Sequence, residues 1–274
     1  MAQNRFGVSE RFACEAIGQH RSTQRLPPPV PPADDALIRE QLRAFAKDRP
    51  RWGWRRAATH LRKQGHVIND KRVRRLWKQE GLRVPQKRRK KRLAGVGTHV
   101  GAMCPIVPNA LWAVDFQFDH TIDGRQVKML NIIDEYTREC LAIVVAHSID
   151  ADTVVGTLAR LSIERGRPPA FVRFDNGPEF VSNAVADWCK DFGTESMFID
   201  PGSPWQNAWV ESFNGRFRDE LLNLWQFDSL LEARVIIEDW RNDYNQNRPH
   251  SALGQQTPAA FAANHNTINQ PKAA

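Results

Sequence analysis

The sequence is 274 residues long, enough for one or two domains with cores of their own. Lys and Arg number 39 against 31 Asp and Glu, and the excess is uneven: residues 1–100 carry 25 basic and 8 acidic residues, residues 101–274 carry 14 and 23. A basic arm on an acidic body fits a nucleic-acid-binding segment joined to a carboxylate-rich enzyme, whereas the lack of any membrane-length apolar run, signal peptide or C-x-x-C pair among Cys14, Cys104, Cys140 and Cys189 speaks against membrane, disulfide-framework and zinc-knuckle classes.

Residues 1–33 show no sustained periodicity and end in Pro27-Pro28-Pro29-Val30-Pro31-Pro32, a stiff spacer. A first helix is expected next, capped by Asp34 or Asp35, with Leu37, Ile38, Leu42 and Phe45 as its stripe and Pro50 as its close. A second is expected from Trp54 to Lys63, stopped by Gly65, and a third from Asp70 to Glu80, capped by Asn69 and stopped by Gly81. The third turns Val73, Leu76 and Trp77 one way and Lys71, Arg75 and Lys78 the other, with Arg74 beside them; with Arg72 they make five cations among the nine residues from Asp70 to Lys78. A short helix, a turn and a basic second helix read as helix-turn-helix, a DNA-binding unit. The run from Gln86 to Arg92, including Arg88, Arg89 and Lys90, is a basic linker suited to tracking phosphates.

From residue 110 the pattern becomes that of strands. Over Leu111–Asp119, Trp112, Val114, Phe116 and Phe118 alternate with Ala113, Asp115, Gln117 and Asp119. Asp123-Gly124 marks a turn, and strands are expected over Val127–Ile133 and Cys140–His147. A helix over Ala151–Glu164, a strand over Ala170–Phe174, a helix over Asn183–Phe192, a strand over Ser196–Ile199 and a long helix after Pro204 complete the order. β-β-β-α-β-α-β-α fits a ribonuclease-H-like mixed five-stranded sheet with helices on both faces, preceded by a small all-α domain.

Three acids stand out. Asp115 interrupts a buried strand, where a lone carboxylate is costly unless paired or metal-bound. Asp175 ends a strand just before Asn176-Gly177 turns the chain, at a usual place for functional groups in an α/β sheet. Glu211 flanks a helical stripe of Val210, Phe213, Phe217 and Leu221, on the face of Asn207 and Asn214. Sixty positions separate Asp115 from Asp175, and 35 residues lie between Asp175 and Glu211.

With these segments the chain resembles the D,D(35)E transposase and integrase superfamily, which includes retroviral integrases, and more closely the second-frame (OrfB) transposase of insertion-sequence-three elements. The resemblance rests on Trp112–Phe116, LNIIDEYTRECLAI at 130–143, FDNGPEF at 174–180, PGSPWQNAWVESFNGRFRDELL at 201–222 and YNQNRPHSALG at 244–254, with the helix-turn-helix at 52–82. Ala208-Trp209 stands where the family more often has Gly-Tyr, and Ala113 where Ser or Thr is commoner. The resemblance implies DNA strand cleavage and strand transfer, with Asp115 bridging two ions and Asp175 and Glu211 each completing one site. Carboxylate oxygens suit Mg²⁺ or Mn²⁺, and two ions can stabilise both the attacking and the leaving oxygen.

The implied partners are the element's terminal repeats and target DNA, further copies of the chain, and the upstream-frame protein of the same element. The expected location is the bacterial cytoplasm, at the nucleoid, away from membranes. The expected division is a flexible segment 1–33, helix-turn-helix 34–84, linker 85–105, catalytic core 106–226 and C-terminal helix and tail 227–274. Other acids have simpler expected roles: Asp119 lies about 13 Å along the strand, Asp134 and Glu135 belong to a turn, and Glu179 to the loop after Asp175. His250 is expected in a packing turn, and the helix near 230–244 over the core or at an interface. A catalytically inactive DNA-binding descendant of such an element is the alternative; a hydrolase that cuts without joining would not need the helix-turn-helix arm.

Overall fold

A computed structural model describes residues 5–27, 32–84, 105–175, 177–199 and 207–268, with side chains as far as 265. The basic run with Arg88, Arg89 and Lys90 lies outside the described residues, as does Cys104.

Residues 5–27 hold two helices that the sequence pattern does not announce, α1 (Glu10–Ala16) and α2 (Arg21–Gln24). They are too short for a stripe to repeat, and only Cys14 is buried. Local bonds hold them instead: Ser9 Oγ accepts from Phe12 N at 3.2 Å, and Glu10 pairs with Arg25 at 2.9 Å.

Three further helices form the small α domain: α3 (Asp35–Asp48), α4 (Trp54–Lys63) and α5 (Asp70–Gln79). Ile38, Leu42 and Phe45 of α3 close over Ala57, Ala58 and Leu61 of α4 and Val73, Leu76 and Trp77 of α5. Leu37, expected in that stripe, is exposed, because Ile38, Leu42 and Phe45 already fill the inward arc. Asn69 caps α5 as its sequence implies, accepting from Lys71 N at 2.8 Å. Asp34 stands at the start of α3 but makes no cap bond, because its carboxylate is drawn to Arg72.

The remaining strands form one mixed sheet in the order β3-β2-β1-β4-β5. β1 (Leu111–His120), β2 (Gln126–Asp134) and β3 (Cys140–Ala146) are an antiparallel meander, while β4 (Phe171–Phe174) and β5 (Glu195–Phe198) run parallel to β1. This is the expected mixed five-stranded sheet. Gly124, at φ +81°, makes the tight β1–β2 turn. The alternation along β1 sorts the core into two layers. Trp112, Val114 and Phe116 pack under α6 (Ala151–Glu164) and α7 (Asn183–Phe192). Ala113 faces α8 (Ala208–Phe217) and α9 (Leu230–Asn247) on the other side. Asp115 and Gln117 share that second face.

After α8 the helix continues as one π turn, Arg218–Leu222, where Asn223 N donates to Arg218 O at 2.8 Å. The inserted residue shifts the helix phase, so Leu222 is buried where an unbroken α-helix would have buried Leu221. A single 3₁₀ turn (Ser251–Leu253) and α10 (Pro258–Ile268) follow. Among the described residues no helix is long and apolar enough to cross a membrane.

Candidate active site

Asp115 sits mid-strand in β1, directly opposite Asn131 of β2. Asp175 follows the last residue of β4, and β4 lies beside β1 on the other side. The sheet therefore delivers both acids to one region, and α8 lays Glu211 over the same face. Asp115 and Asp175 are half-buried, and Glu211 is exposed.

The carboxyl of Asp115 is pushed up to about 7, first by burial, then by the negative charge of Asp175 and, more weakly, that of Glu211. Two bonds work against the shift: Phe116 N donates to Oδ1 at 2.8 Å and Asn214 Nδ2 donates to Oδ2 at 2.7 Å. Among the described residues no three His, Cys, Asp or Glu side chains converge closely enough to share one metal ion. The three acids are coupled pairwise through Asp115 instead.

Asp175 is fixed by its own loop. Gly177 N donates to its Oδ1 at 3.0 Å, and a Cβ on Gly177 would lie only 3.0 Å from that oxygen. Glu179, two residues on, pairs with Lys128 of β2, whose ammonium also donates to Ile149 O and lies 3.9 Å from the centre of the Phe116 ring. Phe180 stacks on Phe116 at 4.6 Å and on Phe174 at 5.0 Å. The loop is thus pinned on both sides of Asp175.

The rival acids have structural partners. Asp134 is buried and accepts from Asn109 N and Tyr136 N, both at 2.9 Å. Glu135 pairs with Arg173 in a site closed to solvent, and burial still pushes its carboxyl up to about 7. His250 lies in a turn, edge-on to Tyr244, and burial together with the Arg248 charge pushes its pKa down to about 2. The polar residues not singled out in the sequence are Gln117, Lys128, Asn131, Arg138 and Arg173. A signal existed for most of them: Asn131, Lys128 and Arg173 interrupt strands that are otherwise buried. Arg138 follows β2, with its guanidinium 3.3 Å from the ring centre of Trp209, the second residue of α8.

On α5, Lys71, Arg74, Arg75 and Lys78 are exposed. Arg72 is engaged by both Asp34 and Asp35, and Arg75 reaches Asp35 at 3.3 Å. These pairs clamp α3 to α5, so Arg72 contributes first to the domain's own packing.

Two models described as integrase core domain match residues 107–204 and 192–258, and one described as HTH-like domain matches residues 32–90. The insertion element IS476 uncharacterized 39.2 kDa protein of Xanthomonas euvesicatoria is 43% identical over 95% of this chain and 74% of its own length. The insertion element IS407 uncharacterized 31.7 kDa protein of Burkholderia multivorans is 39% identical over 99% of this chain and 97% of its own. This chain belongs to the insertion-sequence-three family of transposases. A more distant similarity, 26% over 82% of this chain and 93% of the relative, is to the transposase for insertion sequence element IS904 of Lactococcus lactis. Along this transposase-family chain, the first integrase-core match spans Asp115 and Asp175, the second spans Glu211, and the HTH-like match spans α3 to α5.

Proposed function

We propose that the chain is the DNA transposase of an insertion sequence, which cuts DNA strands and joins their ends to a target with Asp115, Asp175 and Glu211 at its active centre. The observation that carries this reading is the carboxyl of Asp115, half-buried on the sheet and pushed up to about 7 by burial and by the charges of the two other acids. A fold spends stability on such a cluster where chemistry needs it.

The donor set fits a hard divalent cation: oxygen ligands only, with the carboxyl of Asp115 raised by burial and then by the negative charges of Asp175 and Glu211, which a cation would offset. Asp115 with Asp175, and Asp115 with Glu211, would hold Mg²⁺ or Mn²⁺, two ions in all. Bound there, the ions would polarise the scissile phosphate and acidify the attacking water or 3′-hydroxyl. The chain's part is to fix the acids. Phe116 N and Asn214 orient the two oxygens of Asp115, and Gly177 N orients one of Asp175. Arg138 and Trp209 brace the helix start from which Glu211 projects.

The helix-turn-helix of residues 34–84 would hold the element's terminal repeat through Lys71, Arg74, Arg75 and Lys78, with the linker cations Arg88, Arg89 and Lys90 following phosphates. Joining two element ends to a target calls for more than one copy of the chain, with the upstream-frame protein as a further partner.

The test is joining of labelled element ends to a target duplex in Mg²⁺. Asp115→Asn, Asp175→Asn and Glu211→Gln should each reduce joining to the metal-free background while end binding persists. Asp119→Asn should keep most of the activity. Near-normal joining by Glu211→Gln would refute the assignment.

A further inference from the structure

Four amide and carboxylate groups form a chain of hydrogen bonds across β2, β1 and α8. Asn214 Nδ2 donates to Asp115 Oδ2 at 2.7 Å. Asn131 Nδ2 donates to Asn214 Oδ1 at 2.7 Å and to Gln117 Oε1 at 3.2 Å. Gln117 Nε2 donates to Asn214 O at 3.3 Å. Asn131 is fully buried, and its own Oδ1 finds no hydrogen-bond partner.

The direction of every bond is forced from the two ends. In the ionised form that would bind a cation, the Asp115 carboxylate accepts only, so Asn214 must turn its NH₂ toward it and its Oδ1 away. The main-chain carbonyl of Asn214 also accepts only, so Gln117 must turn its NH₂ to that carbonyl and its Oε1 away. Both outward oxygens then face Asn131, and only the NH₂ of Asn131 can satisfy them. That group has two hydrogens and meets two acceptors. The cost of this orientation falls on Asn131 Oδ1, left buried and unbonded. A residue placed for packing alone would be apolar here, as its neighbours Leu130, Ile132 and Ile133 are.

We infer that Asn131, seconded by Gln117, is a positioning residue of the transposase: it locks the Asn214 amide in the one orientation that holds Asp115 for metal binding. The inference rests on the carboxylate site proposed above and extends it to residues that touch neither metal nor DNA. Without Asn131, the Asn214 amide loses the bond that fixes its direction, and Asp115 loses a preset geometry. Such supporting bonds are worth on the order of 10- to 100-fold in metal affinity.

The test titrates Mn²⁺ alone into the DNA-free chain, counting free ion by its paramagnetic resonance, and separately finds the Mn²⁺ concentration that half-saturates joining. The variants are Asn131→Leu, Asn131→Ala, Asn214→Ala and the double variant Asn131→Leu/Asn214→Ala, each checked by thermal melting. Both Asn131 variants and Asn214→Ala should raise the required Mn²⁺ about tenfold or more. The double variant should need no more than Asn214→Ala, because Asn131 acts through Asn214. Folded Asn131 variants with wild-type Mn²⁺ dependence, or a double variant whose losses multiply, would overturn the inference. Asp115→Asn in the same titrations separates the two claims. If Asp115→Asn also behaves as wild type, the site itself is misplaced; if it alone loses Mn²⁺, only the Asn131 role fails.

Discussion

Burial of Asp115 has a consequence for stability that does not depend on DNA. Its carboxyl is raised from 3.8 to about 7, mainly by burial and then by the charge of Asp175. In the unfolded chain the group ionises near its ordinary value, whereas the folded chain keeps the proton up to about pH 7. Between those limits the folded state binds more protons, so stability falls as pH rises, and the loss is complete above about pH 7. Asp115→Asn removes that loss. In EDTA the variant should melt level with wild type near pH 4 and several degrees higher at pH 8, a gain of a few kcal/mol at most because Asp115 is partly solvated. Equal melting at pH 8 would show that the acid is not strained. In the sequence, Asp115 stands out inside an apolar strand and Asp175 just before Asn-Gly, whereas Glu211, flanking a helical stripe, is marked by its spacing from Asp175. Asn131 is harder to read. One Asn in an apolar run is compatible with many roles, and its meaning appears only when β2, β1 and α8 are brought together.

At the scale of elements, the helices with repeating stripes and clear stops are read most closely. α6 and α7 run over the expected residues, with Asp150 and Ser182 as side-chain caps. α1 and α2 escape because a stripe needs more than two turns to declare itself. The π turn after α8 escapes because one inserted residue leaves composition unchanged and alters only which leucine is buried. On α5 the count of cations is legible but their division of labour is not. Arg72 lies 37 residues from Asp35, a pairing that no helical period encodes. Two variants separate the roles. Arg72→Ala should lower the melting temperature, since it leaves the nearly buried Asp35 short of its partner. Lys71→Ala/Arg74→Ala/Lys78→Ala should melt as wild type but weaken binding to end DNA, with the log–log salt slope reduced by about 3. If Arg72→Ala instead changes the salt slope and leaves melting untouched, Arg72 is a phosphate contact.

At the scale of the whole molecule, the helix-turn-helix meets the helices that cover the sheet through charges, and among the described residues their apolar clusters stay separate. Glu220, in the π turn, receives Arg248 Nη2 at 2.6 Å, Trp52 Nε1 at 3.3 Å and Arg56 Nη1 at 3.4 Å. Burial alone would raise the pKa of Glu220, but Arg248 and Arg56 outweigh it and hold it below the usual range. Arg56 is itself pushed down to about 10 by burial and by Arg248. Beside it, Arg49 Nη2 donates to Asp243 of α9 at 2.7 Å and covers the Trp52 ring. Trp52, Arg56 and Arg49 lie 164 to 194 residues from these partners and follow no stripe, so the sequence marks the two regions but not their docking. Glu220 lies nine residues beyond Glu211 on one continuous helical run, which ties the helix-turn-helix to the element carrying a proposed active-site acid. Glu220→Gln strips the countercharge from buried Arg248 and half-buried Arg56, a loss of up to about 3 kcal/mol. The variant should melt in two calorimetric steps where wild type melts in one. It should also bind end DNA nearly as tightly as wild type while joining it several-fold more slowly. One unchanged transition with unchanged joining would show that the two regions work without this latch.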